Sequence, residues 1–498
     1  MGQRVIGAME GDRCAICRWV MIWAGLFVAV SSPAAAAPRA WPEGSTPVAT
    51  VDGLAQGPLL VDSRIAWLDS SSECVSGCRG AFGDFTERQR YRLRVSRGSG
   101  KPRILYTTTR SGGSLGGGAD SFGASVDFAL SESFLAVVTT SSFDGREDSS
   151  FGFRLDAGRR PRSAKQTTLE RLASCSNFGF SEPDAAFALS GALLVRETDP
   201  CRESQDAPSA IALRDLATGD GRSEPLPDDR FLGRIAAAGR FVAASLGKAF
   251  DPDDPDAEGG HVVALYDRDR SGAIATVPAG KQGPSFDVQP DGRVAICSDD
   301  GRLSTFSPSE REPRDLGACE AGPSIASDRI VFRAHGGDLQ VTDLAGRRET
   351  IAPLGSLAST RPDFDGRVIT YGVPRCVDGD TEILRMPVTA RSRVGPFVKC
   401  PASIQSGRLT VRGKGRTQFR LGCPRGCSGF FDLVGPRYTI ASGSFNRRAG
   451  RSTVNVRLDR YGRRVLARRG SLRVKLELTV DNRDGNRRKV TRTLRLTR

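Results

Sequence analysis

A short hairpin unit recurs along most of this chain, and that recurrence limits the fold more than any other feature. Ser285–Ser298 reads SFDVQPDGRVAICS, Gly322–Arg333 reads GPSIASDRIVFR and Arg361–Tyr371 reads RPDFDGRVITY. Each couples an alternating segment to a tight turn on Asp-Gly or Ser-Asp and then to a β-rich segment, which is the pattern of a two-stranded hairpin. Return strands follow in GRLSTFSP, GDLQVTDLAGR and EILRMPV. Earlier stretches repeat the pattern with longer insertions: PLLVDSRIAWLD before YRLRVSRGSGKPRILY, SFGASVDFALSESFLAVVTT before FGFRLDAG, DAAFALSGALLVRE before IALRDLATGD, and RIAAAGRFVAAS before HVVALYDRDRSGA. That makes about seven units at intervals of roughly 40 to 65 residues, the range of propellers and solenoids.

Antiparallel sheets this small bury too little surface alone and leave open edges, whereas stacking around an axis buries both faces and closes the ring. The expectation is therefore an all-β chain whose residues 46–390 form a β-propeller. Seven blades is the expected number, and six stays open if the two divergent first units share a blade. Closure usually needs a strand from the far end, and TPVATVDG (Thr46–Gly53) is placed to finish the last blade. Helical periodicity is nearly absent, and the 57 Gly and 28 Pro punctuate short apolar runs. A chain of 498 residues exceeds what one core supports, so a second unit is expected.

Composition shifts after the short polar stretch Thr389–Gly395, and residues 391–397 are read as a linker. Beyond Val398 lie 26 Lys and Arg against 5 Asp and Glu, so the net charge of +15 comes from the last hundred residues and the rest is mildly acidic. RTQFRLGC, GFFDLV, RSTVNVRLD, SLRVKLELTV and RKVTRTLRLT alternate apolar with polar or basic residues. That is the pattern of a sheet with one face on a core and one in water, and a β-sandwich of about seven strands over residues 398–498 follows. Asp459–Gly470 reads as a short helical turn between strands. A cationic module attracts polyanions, while outward Arg also serves simply to keep strands soluble and blunt their edges.

Two resemblances attach to these residues. VQPDGRVAICSDDGRLSTFS resembles the PD40 repeats of TolB-like and WD40-like propellers, in which a P-D-G-K/R turn precedes a buried strand and a D-L-x-x-G turn closes the blade. RDLATGD (Arg214–Asp220) and TDLAGR (Thr342–Arg347) match the second half, although the family's tryptophan before the P-D-G turn is missing. The likeness implies a binding platform or accessory domain. The last hundred residues, with YGRRVLARRG and DNRDGNRRKVTRTLRLT, resemble the basic Ig-like C-terminal module of secreted actinobacterial proteins. That likeness implies a secreted or surface-associated location and no known reaction.

The first 37 residues carry Arg4, Arg13 and Arg18, an apolar run from Trp19 to Val30, and small residues ending in Ala35–Ala37. This is the layout of a secretory signal peptide, too short to serve as a stable span, with cleavage expected near Ala37. Cys14 and Cys17 would leave with it, and no later stretch has spanning length. Ten cysteines remain, an even number suited to an oxidising compartment: Cys74, Cys78, Cys175, Cys201, Cys297, Cys319, Cys376, Cys400, Cys423 and Cys427. Pairing of sequence neighbours is preferred, though spacing does not fix connectivity. Zinc is disfavoured because the two short pairs, Cys74/Cys78 and Cys423/Cys427, fall in different units.

Candidate chemistry is thin. His261 and His335 are the only histidines and fall in different units with no partner motif, against a hydrolase triad or a histidine metal site. Gly112–Gly116 matches G-x-S-x-G around Ser114, but the nucleophile elbow needs a strand before it and a helix after it, and a glycine-rich loop is expected here. Asp251–Glu258 starts like a calcium loop through Asp254, Asp256 and Glu258, then places Val262 and Leu265 where oxygen ligands belong. Asp378 with Asp380 and Asp299 with Asp300 sit in turn contexts. The expectation is an exported, non-enzymatic binding protein. Its propeller face would take an unknown protein or glycan ligand, and its basic module an anionic cell-wall polymer. No cofactor, no metal and no nucleic acid are implied. The alternative is a hydrolase or lyase acting on polysaccharide in the propeller's central pocket.

Overall fold

The hairpin units become sheets in a computed structural model that describes residues 41–498 apart from 62, 77–84, 98–100, 116–119, 123, 142–148, 155–165, 169–186, 198–209, 228–229, 249–259, 282, 311, 358–359, 378 and 394. The expected signal segment, the acidic loop 251–259 and Cys78, Cys175 and Cys201 therefore lie outside the described residues.

Seven sheets follow one another along the chain. Blade 1 holds Leu54–Val61, Arg64–Ser76, Phe85–Arg97, Arg103–Leu115 and Asp120–Phe122. Blade 2 spans Ala124–Leu130 to Gln166–Thr168, blade 3 Phe187–Ser190 to Gly221–Pro225, and blade 4 Arg230–Ala238 to Ala273–Pro278. Blade 5 runs from Ser285–Val288 to Arg314–Ala318 and blade 6 from Ala321–Ala326 to Arg348–Ala352. Blade 7 has Asp363–Phe364, Val368–Pro374 and Asp380–Pro387, with Thr46–Asp52 as its outer strand. The first strand of each blade touches the first strand of the next, and Asp363–Phe364 touches Leu54–Val61, so the ring is closed. It is a β-propeller, and the two divergent first units form separate blades.

Closure uses the early segment. Thr46–Asp52 runs antiparallel to Asp380–Pro387, with Thr46 opposite Arg385 and Val51 opposite Thr381. The second strand of each blade explains the continuous apolar runs in the sequence. Val294–Cys297, for example, is buried at every position because neighbouring blades cover both faces. The preceding turn needs Gly292, whose φ of +85° is a left-handed conformation that side chains avoid.

One apolar cluster lies between each pair of adjacent blades. Ala295, Leu303 and Leu316 of blade 5 meet Ile330 and Phe332 of blade 6, and Val51 and Ile383 of blade 7 meet Ile65 and Trp67 of blade 1. Phe332 has no solvent exposure. Phe332→Ala should cost about 3–5 kcal/mol through lost burial and a residual cavity, read from the denaturant midpoint of the full chain.

Residues beyond the propeller form two further sheets around one core. Ser403–Ile404, Arg416–Cys423 and Gly450–Arg457 make a three-stranded sheet. Arg408–Thr410, Arg487–Thr497, Ser471–Asp481, Cys427–Val434 and Thr439–Arg447 make a five-stranded one. Phe419, Leu421 and Val454 from the first face Phe431, Leu476 and Leu478 from the second, and the rings of Phe419 and Phe431 meet edge-on at 5.4 Å. The expected helical turn is a ten-residue helix, Arg460–Arg469. The Asp459 carboxylate caps it by accepting from Gly462 N–H, and Gly470, at φ +67°, ends it by donating to the Leu466 carbonyl. Its apolar side, Gly462 and Leu466, is buried.

The sandwich is seated on blade 7 and shares one compact unit with the propeller. Within the stretch 391–397 read as a linker, Ser392 N–H donates to the Ile351 carbonyl at 2.8 Å, and Arg391 pairs with Glu349. Cys376, just after a blade 7 strand, is bonded to Cys400 with Cα atoms 5.4 Å apart. Arg483, only 6% exposed, donates to the Pro374 carbonyl at 2.6 Å and the Phe397 carbonyl at 3.0 Å. Arg425 and Arg483 both lie over the Phe397 ring, at 4.0 and 4.8 Å. Gly426 leaves no room for a side chain, because a Cβ would sit 2.4 Å from Val377 of the propeller. Burial pulls the Arg483 guanidinium down to about 10. Arg483→Ala should lower stability by about 1.5–3 kcal/mol, the usual loss for hydrogen bonds to a charged group, and a second transition in a melting scan would show the sandwich uncoupling.

Candidate functional site

The centre of a propeller is lined by the first strand of every blade, and here those strands carry polar side chains that face the next blade. Asp287 of blade 5 accepts through Oδ2 from Ile325 N–H of blade 6 at 3.0 Å. Ser324 of blade 6 accepts through Oγ from Phe364 N–H of blade 7 at 3.2 Å. Asp363 of blade 7 accepts through Oδ2 from Leu60 N–H of blade 1 at 2.5 Å. Gln56 of blade 1 reaches blade 2, where Oε1 accepts from Phe128 N–H at 2.7 Å and Nε2 donates to the Phe128 carbonyl at 3.2 Å. The device is one move repeated: a side chain from one blade takes a backbone donor on the edge of the next blade's inner strand that has no sheet neighbour.

Three of these groups converge. Ser324 Oγ lies 3.2 Å from Asp287 Oδ2 and 3.2 Å from Asp363 Oδ1. One hydroxyl has one hydrogen, so it donates to one carboxylate only, and the other contact is filled when that second carboxyl carries a proton and donates to Ser324. The electrostatics agree. Burial, followed by the charge of Asp363, pushes the Asp287 carboxyl up to about 7, and burial also raises Asp363. Nearby, Arg234 is held below its ordinary value by burial, offset in part by Asp287. Arg361 bridges blades 5 and 6 through the Phe286 and Pro323 carbonyls at 2.8 and 2.5 Å.

This arrangement can hold a proton at neutral pH and can bind blades together. The Asp287 and Asp363 contacts given above each tie one blade to the next, so the groups act as connectors. The folded state raises the Asp287 pKa above its unfolded value near 3.9 and so binds the proton more tightly. The stability from this group is thus full below pH ~4 and is lost as pH rises through about 7. Asp287→Asn keeps an oxygen acceptor for the Ile325 N–H and the Ser324 hydroxyl and removes the carboxyl that titrates. Melting temperature should fall for the parent chain between pH 5 and pH 8 and stay flatter for the variant; parallel curves would contradict the shared proton.

The residues singled out from the sequence do not gather here. His261 precedes a blade 4 strand, donates its N–H to the Gly280 carbonyl at 2.7 Å and has its imidazole pKa lowered by burial. His335 is exposed on a blade 6 turn. Ser114 is not in a loop: within the strand Arg103–Leu115 it pairs with Phe85 and Ser121 inside a blade 1 sheet. Asp299 accepts from Lys281 N–H at 2.9 Å, Asp300 accepts from Arg302 N–H at 3.3 Å, and Asp380 lies 3.8 Å from Arg375. Cys297 is bonded to Cys319 and Cys423 to Cys427, and Cys74 is also disulfide-bonded. Among the described residues no cluster of His, Cys, Asp and Glu suits a metal ion, and no helix is long and apolar enough to cross a membrane.

Asp287, Ser324 and Asp363 escaped sequence reading because each appears as one polar residue in an alternating strand. The signal was their shared place, two to four residues before the turn in SFDVQPDG, GPSIASD and RPDFDG. Such a position faces inward only once the ring exists.

No family model matches the sequence, and no curated protein matches it. Several solved structures do. One comes from a study of two prolyl endopeptidases, at 11% identity and a TM-score of 0.42, over 75% of this chain and 53% of that one. BamB from Moraxella catarrhalis is similar at 14% identity and TM-score 0.36, over 76% of this chain and 94% of BamB. The β-propeller domain of the trilobed protease from Pyrococcus furiosus is similar at 9% identity and TM-score 0.37, over 65% of this chain and 95% of the domain. The chain spans about half the length of the prolyl endopeptidase. The propeller assignment rests on the closed ring of sheets itself.

Proposed function

We propose that this chain is an exported binding protein: a TolB-like propeller offers a loop-built face to a protein or glycan, and a basic Ig-like module over residues 398–498 contacts an anionic envelope or matrix polymer. The carrying observation is the charge division, 26 basic against 5 acidic residues after Val398, on a module fixed to blade 7 by Cys376–Cys400 and Arg483. A rigid seat makes the cationic module an address for the propeller rather than a loose tail. Disulfides, and the charge, small-residue and apolar layout of residues 1–37, support export into an oxidising compartment.

Electrostatic contact of this kind weakens with salt. The chain lacking residues 1–37 should be retained on purified bacterial cell walls at low salt and released as salt rises. Failure to bind at low salt would remove the address role and leave only the propeller as a platform.

A further inference from the structure

The cationic residues of the sandwich are not spread evenly. On the five-stranded sheet the outward face mixes signs: Lys475 pairs with Glu477 at 2.6 Å, Arg487 with Asp481 at 2.9 Å, and Asp432 is exposed among them. The three-stranded sheet is different. Its exposed positions on the two long strands are Arg416, Gln418 and Arg420 on one and Arg451, Thr453, Asn455 and Arg457 on the other, with no carboxylate. Among the described residues none of these four guanidiniums has an ion pair, although 15 pairs are formed elsewhere. A face that only needed solubility would tolerate the sign mixing its opposite sheet shows.

Arg416 stands directly opposite Arg457, and like charges directly opposite on paired strands are destabilising; the five-stranded sheet carries one such row too, Arg408, Arg495 and Arg473, so what sets the three-stranded face apart is its lack of carboxylates. Gln418 faces Asn455, Arg420 faces Thr453 and Gly422 faces Arg451. At ~3.3 Å per residue, cations therefore recur along a line of about 20 Å, with neutral hydrogen-bonding side chains between them. The helix extends that line. Gly415, next to Arg416, has Arg463 packed so closely that a Cβ would meet its Cδ at 2.5 Å, and Arg460, Arg463 and Arg464 are exposed.

We propose that the outer face of the three-stranded sheet, through Arg416, Arg420, Arg451 and Arg457, is the seat of a linear phosphodiester polymer of polyols or sugars. This rests on the reading of the sandwich as an anion-binding module and assigns it a face and a ligand class. Unpaired cations at intervals take the phosphates, and Gln418, Thr453 and Asn455 take the intervening hydroxyls. An anion between Arg416 and Arg457 turns their repulsion into a bridge. Nucleic acid also supplies phosphodiesters, but none of these strand positions carries an aromatic ring on which bases could stack.

Immobilised poly(glycerol phosphate) is the probe, and the chain lacking residues 1–37 is used throughout. Arg416→Gln/Arg420→Gln/Arg457→Gln removes three charges from the proposed face, and Arg473→Gln/Lys489→Gln/Arg495→Gln removes three from the opposite sheet. The first variant should bind at least about tenfold more weakly at low salt, with the slope of log affinity against log salt reduced by about two. The second should stay within about twofold of the parent. Equal losses from both variants would sink the assigned face while sparing the broader anion-binding reading; no binding by the parent would sink both. Tighter binding to single-stranded DNA than to poly(glycerol phosphate) would overturn the ligand class. Arg416→Gln alone gives an independent check: its melting temperature should rise at low salt and match the parent at high salt, and a fall would contradict the repulsion on which the site is argued.

Discussion

Everything in this molecule depends on the joint where its ends meet. A ring of small sheets has no stability at an open edge, and Thr46–Asp52 must find Asp380–Pro387 across more than three hundred residues. Closing a loop of that length costs about 5 kcal/mol of chain entropy, an amount that grows only slowly with length. A seven-residue strand alone would offset little more than this. The joint is therefore reinforced on both sides: Val51 and Ile383 pack on Ile65 and Trp67, Ser45 Oγ meets the Tyr371 hydroxyl at 2.6 Å, and Glu43 N–H donates to Ser392 Oγ at 2.9 Å. The segment that seals the ring is thus also tied to the stretch that leads out of it.

The polar centre follows from the same geometry. Each inner strand has a sheet neighbour on one edge only, so backbone donors remain on the other edge that no sheet partner takes, and a buried free N–H is costly. Asp287, Ser324, Asp363 and Gln56 meet those donors from the neighbouring blade. Apolar clusters hold the blades face to face, and these side chains fix the angle at which they meet. Two carboxyls end up beside one hydroxyl because blades 5, 6 and 7 make the same connection in succession, and burial together with the Asp363 charge raises the Asp287 carboxyl.

Much of this was legible in the chain. The hairpin repeats, the closing strand at Thr46–Gly53 and the C-terminal sandwich are local patterns, since alternation and turn residues report on a strand and its immediate partner. What stayed hidden is set by contacts between units. Asp287 and Asp363 look like ordinary outward polar residues until the axis gives them an inside. Ser114 looked like loop because glycines surround it, yet sheet pairing with Phe85 and Ser121 outweighs their weak strand preference. The stretch 391–397 looked like a tether because it is polar, and its contacts with Ile351 and Glu349 come from blades that composition does not reveal. The uneven placement of arginine needed the register of Arg416–Cys423 against Gly450–Arg457 before it became visible.

The seam between the two units ties these observations together. Arg483 is buried although charged, and it is held there by carbonyls from Pro374 and Phe397 and by the Phe397 ring it shares with Arg425. A flexible linker would have needed none of this. Burying a guanidinium is unfavourable unless its donors are met, so a seam built this way trades stability for one fixed orientation of sandwich on ring. Fixed orientation matters only if both units face something. Held by Cys376–Cys400 and Arg483, the basic sandwich keeps one orientation on the ring, and the sharp division of charge along the sequence becomes a directional property of the folded molecule.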